Sequence, residues 1–77
     1  MSGTTFEGNA MTHNEKLITI KAMQMYGGSF VKALAAAWLL ADDDNAAKIE
    51  HAFPAYMAKY GPNSGMYAEA AKALRDD

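Results

Sequence analysis

The chain has no cysteine, two prolines, two histidines and no excess of positive charge. Each shortage removes a class of protein. Without cysteine there is neither a disulfide nor a thiolate metal site, so the 77 residues hold together by packing alone. Domains of this size bury a modest share of their surface, and association commonly makes up the deficit. Seven Lys and Arg against nine Asp and Glu leave a formal charge of -2, which argues against a surface built to hold a phosphate backbone. The longest unbroken apolar run, Ala33 to Ala41, falls far short of the roughly 20 residues a membrane span requires. The opening MSGTTFEGNA lacks the basic and apolar regions of a secretory signal. Residues 1–11 read as a flexible arm and residues 12–75 as a single helical domain, with a cytoplasmic location expected.

Of the residues present, 51% are hydrophobic, and alanine and methionine supply much of that share. These residues favour helix over strand. The expected fold is therefore all-α, a compact bundle of three to four short helices that self-associates.

The first helix is announced by Thr12-His13-Asn14-Glu15, a capping box in which the threonine oxygen takes the Glu15 amide and the glutamate reaches back. It should run to about Tyr26. Leu17, Ile20, Met23 and Gln24 mark one stripe and Ile18, Ala22 and Met25 another. The rival strand over residues 17–20 is outweighed by the box ahead and Lys-Ala-Met-Gln-Met behind. Gly27-Gly28 then predicts a left-handed helix end, with Ser29 capping the next helix.

Eleven of the thirteen residues from Ser29 to Ala41 are apolar, so this second helix is greasy on every face and reads as the central one. Phe30, Leu34 and Trp38 form a large-residue ridge expected in the core. Val31, Ala35 and Leu39 form a second ridge. Ala33, Ala36, Ala37 and Leu40 are the candidate face for self-association or for a partner. Asp42-Asp43-Asp44-Asn45 is a turn and N-cap for a third helix; a calcium loop starting at Asp42 would need glycine and glutamate where Ala47 and Phe53 stand. The third helix turns Ala46, Ile49 and Phe53 inward, and Pro54 either stops it or restarts the chain through Tyr60. After the loop at residues 61–65, Asn63 or Ser64 caps a last helix with Met66, Ala70, Ala73 and Leu74 inward.

Catalytic groupings are thin. His13 and His51 lie in different elements and have no cysteine to complete a zinc shell. Ser29 has no nucleophile-elbow setting, and Gly27-Gly28 lacks the spacing and lysine of a phosphate loop. No catalytic residue, metal or cofactor is expected, and the chain does not read as an enzyme. Tyr26, Tyr56, Tyr60 and Tyr67 are a candidate aromatic contact surface. With Lys59 they are the residues a small-molecule or nucleotide-binding module would use. A nucleic-acid regulator would need a basic face from Lys16, Lys21, Lys32, Lys59, Lys72 and Arg75. A helix-turn-helix over Phe30 to Phe53 remains a disfavoured rival, because the usual turn glycine would fall near Leu39 and its reading helix would open with three aspartates.

The run Tyr26-Gly27-Gly28-Ser29-Phe30-Val31-Lys32-Ala33-Leu34-Ala35, followed by Asn45, Ile49-Glu50, Ala52-Phe53-Pro54, Tyr56 and Lys59-Tyr60, resembles small proteins encoded by phages and prophages. It covers about Lys16 to Tyr60. The resemblance implies a bacterial cytoplasm and a small accessory gene, and it carries no activity and no catalytic residues. By analogy with such genes, the expected partner is a host or phage protein that this chain binds and modulates, alongside a homodimer or higher oligomer; nucleic acid and membrane are disfavoured.

Overall fold

Thr12 opens the first helix as its sequence requires. In the computed structural model, which describes residues 11–76, its hydroxyl accepts the Glu15 amide at 3.0 Å. The Glu15 carboxylate in turn accepts the Thr12 amide at 2.9 Å. Helix α1 runs His13–Tyr26, α2 Ser29–Leu40, α3 Asp43–Ala52, α4 Pro54–Tyr60 and α5 Gly65–Asp76. The fold is all-α, with no strand among the described residues. The described residues form five helices rather than the expected three to four, because Phe53 leaves helical geometry at φ -128° and ψ 58°. Pro54, which has no amide proton to lose, then starts a new helix at its first position.

The turns are less glycine-driven than the sequence suggests. Gly27 and Gly28 both have negative φ and extended backbone, so the left-handed helix end is not formed. Ser29 is the first helical residue and caps nothing; Gly28 holds the N-cap position without a side chain to offer. Close approach is what Gly27 supplies instead. A Cβ there would collide with the Val31 Cγ1 and lie 2.6 Å from the Met23 carbonyl oxygen, whereas one on Gly28 would meet nothing. Asp42 caps α3 by accepting the Asn45 amide at 2.8 Å. Ser64 caps the opening of α5, accepting the Tyr67 amide at 3.1 Å.

The packing hub is α1, which contacts α2, α4 and α5; among the described residues the helices neighbouring the α2 backbone are α1 and α3. The expectation that α2 is central is thus corrected. Its greasy sequence does not mean all-round burial. Ile20, Ala22 and Met23 of α1, Val31, Ala35 and Trp38 of α2, Ala46, Tyr60 and Ala70 make the core. Four of those nine residues are alanines, which lets helix axes draw close. Thr19 is also fully buried, and it is satisfied: its hydroxyl donates to the Glu15 carbonyl at 2.8 Å and lies 3.6 Å from the Met11 Sδ. Met11, at the end of the expected arm, packs on the core; the rest of that arm lies outside the described residues. Leu74, expected inward, stands exposed, as do Phe30 and Leu39.

Trp38 is the fixed point. It is 0% exposed, its indole N–H donates to the Glu50 Oε2 at 3.2 Å, and the Lys16 Nζ lies 5.8 Å from its ring centroid. Three helices meet on one side chain. Trp38→Ala is expected to cost about 3–5 kcal/mol, which rivals a net stability on the order of 0.05–0.15 kcal/mol per residue. Glu50→Ala leaves a buried donor without a partner, for about 1–3 kcal/mol, while Glu50→Gln keeps an acceptor oxygen and loses less. Urea unfolding followed by Trp38 fluorescence measures that order. Gly27→Ala is expected to destabilise by about 1–3 kcal/mol and Gly28→Ala to be near neutral in the same assay; equal effects would contradict the close approach at Gly27.

Candidate interaction surface

The outward side of α2 follows from its helical spacing. At about 100° per residue, Val31, Ala35 and Trp38 fall on one side and are buried. Ala33, Ala36, Ala37 and Leu40 fall on the other, and all four are exposed. Leu40 is 85% exposed, an unusual position for a leucine beside so many small residues. Only Ser29 and Lys32 interrupt this side with polar groups. The four residues singled out from sequence therefore share one open face.

At one shoulder of that face lies an aromatic cluster that sequence reasoning missed. Phe30, expected in the core, is 57% exposed and packs edge-on against Phe53, with ring centroids 6.0 Å apart. Tyr56 completes the group at 6.1 Å from Phe30 and 6.0 Å from Phe53. Contacts at these separations are favourable for aromatic rings. The cluster exists because the chain breaks at Phe53 and restarts at Pro54. That break places the Tyr56 side chain against Phe53 and brings both to the opening turn of α2. The signal in the sequence was the Phe-Pro pair itself, read there as a choice between stopping and restarting.

The four tyrosines do not form the contact surface expected of them. Tyr60 is buried in the core, with the Lys59 Nζ 5.6 Å from its ring centroid. Tyr26 is exposed at the end of α1. Tyr56 joins the cluster, and its ring partners there are the two phenylalanines. Tyr67 is half-buried on α5, and desolvation, with the Glu15 carboxylate second, raises its phenol above 10.0.

The polar groups serve the helices. Asp42 caps α3, Asp44 pairs with Lys48 at 3.5 Å on an open surface, and His13 and His51 are exposed. Among the described residues, no group of three or more His, Asp or Glu side chains is placed to hold a metal ion. No helix among them is long and apolar enough to cross a membrane.

Tyr67, outside this surface, gives the packing of α5 on α1 a titration test. A raised folded pKa means that the folded chain keeps the phenol proton at a pH where the unfolded chain has lost it. Its contribution to stability is thus complete below 10.0 and lost as pH climbs through the raised value. Glu15→Gln, which preserves the capping box, is expected to lower the Tyr67 pKa in an NMR titration; an unchanged value would remove Glu15 as a cause. No family model matches the chain, and neither a curated protein nor a solved structure matches it.

Proposed function

We propose that the protein is a non-enzymatic binding module of the phage accessory kind, acting in a bacterial cytoplasm by holding a host or phage protein and altering that protein's activity. The observation that carries this reading is the outer face of α2. Leu40, Ala37, Ala33 and Phe30 succeed one another at helical spacing and lead into Phe53 and Tyr56. Single exposed apolar residues are ordinary on a soluble surface, but a contiguous patch is where partners dock.

Its make-up suits a protein partner better than the two other classes. Aromatic residues such as Phe30, Phe53 and Tyr56 are enriched in protein interfaces. A nucleotide module would use the tyrosines together, yet Tyr60 is in the core. For nucleic acid, the aspartates at the end of α2 are unfavourable neighbours, and Lys16 and Lys59 lie against aromatic rings.

Affinity purification of the tagged protein from a bacterium carrying its gene, with mass spectrometry of what is retained, tests the proposal. A specific protein is expected with the wild type and lost with Leu40→Asp, a change on an exposed position that should leave the helical circular dichroism intact. Recovery of no specific protein would sink the reading. Salt-sensitive retention of nucleic acid, or a copurified ligand absorbing in the ultraviolet, would replace it.

A further inference from the structure

The outer face of α2 is open along about 15 Å from Phe30 to Leu40, and its two ends differ in charge. Lys32 stands near its start and makes no ion pair among the described residues. Asp42, Asp43 and Asp44 follow directly on its end. Resting on the reading of this face as a contact surface, we infer that in the free protein it is covered by the same face of a second copy, which the host or phage partner displaces. The two α2 helices run antiparallel, with the twofold axis between Ala36 and Ala37.

Charge selects both the occupant and the direction. A parallel pair would set lysine against lysine and one aspartate cluster against the other. An antiparallel pair centred at Ala36 and Ala37 sets Lys32 opposite the partner's Ala41, within reach of the partner's Asp42 and Asp43. The same direction brings the aspartate cluster that follows α2 towards the first turn of the partner's α2. That turn has no side-chain cap on its amides, so it presents the uncompensated positive end of a helix dipole. One surface thus holds both halves of its own complement, as a twofold interface requires.

Shape agrees with charge. Ala36 and Ala37 meet at the axis, where side chains ending at Cβ allow the helices to approach to the short end of the usual separation, about 8 Å. Leu40 of each copy comes to lie over the partner's Ala33, a large side chain against a small one. A single helix pair of this length covers less than the roughly 800 Å² per partner of a standard interface. An interface below the standard size makes a weak, transient dimer.

Sedimentation equilibrium from micromolar to millimolar concentration tests this on the purified full chain. The mass is expected to rise towards twice 8.3 kDa. Leu40→Asp is expected to weaken association by about thirtyfold or more. Lys32→Glu also weakens it, and Lys32→Glu combined with Asp43→Lys recovers it. With no native cysteine, Ala37→Cys supplies a unique thiol that should close a disulfide between copies under mild oxidation faster than Ala47→Cys, which is exposed on α3. A monomeric mass over the whole range overturns the inference. If Leu40-dependent capture of another protein persists in that case, the binding reading survives. A dimer that tolerates Leu40→Asp, or that cross-links no faster through Ala37→Cys than through Ala47→Cys, overturns the antiparallel arrangement.

Discussion

Trp38 ties three helices together, and the rest of the structure is arranged around its burial. The ring comes from α2, its N–H is taken up by Glu50 on α3, and Lys16 on α1 lies over its face. A large apolar body with one polar atom can go fully inside only where that atom finds a partner, and Glu50 provides it. Because the two groups sit twelve residues apart on consecutive helices, satisfying the indole fixes how α3 folds back on α2. That angle then helps bring Phe53, where α3 ends, against Phe30.

Placing Trp38 inward has a consequence for the opposite side of the same helix. A helix with its core face at Val31, Ala35 and Trp38 must turn Ala33, Ala36, Ala37 and Leu40 outward, whatever their hydrophobicity. The core is completed from α1, whose Thr19, Ile20, Ala22 and Met23 are buried and which contacts α2, α4 and α5. With α1 occupying the centre, α2 is left at the periphery with apolar surface to spare. The binding reading and the self-pairing of α2 both grow from that one geometric fact.

Much of the local architecture was legible because its signals act within a few residues. The capping box at Thr12 and Glu15 was legible outright, while a cap among residues 42–45, a cap at Asn63 or Ser64 and a stop or restart at Pro54 were each narrowed to a few candidates; all depend on a hydrogen bond or a steric limit closed over one turn. The face of Ala33, Ala36, Ala37 and Leu40 was legible for the same reason, being a matter of helical spacing. Phe30 was misplaced because spacing alone groups it with Leu34 and Trp38 as readily as with Ala33 and Ala37. The left-handed end at Gly27 was wrong because the residue is needed for the nearness of Val31 and Met23, a demand that no dipeptide pattern expresses.

The amino-acid sequence by itself determined an all-α chain, the capping box that opens its first helix, the absence of covalent staples and the helical register that groups Ala33, Ala36, Ala37 and Leu40, since propensity, capping and periodicity are local properties. Only the tertiary structure decided that α1 rather than α2 is the hub, that Tyr60 belongs to the core while Phe30 does not, and that Glu50 answers Trp38. Those outcomes depend on which of several apolar faces wins the limited interior of a small domain. That competition is settled by the simultaneous fit of all five helices, with the indole's need for an acceptor breaking the tie.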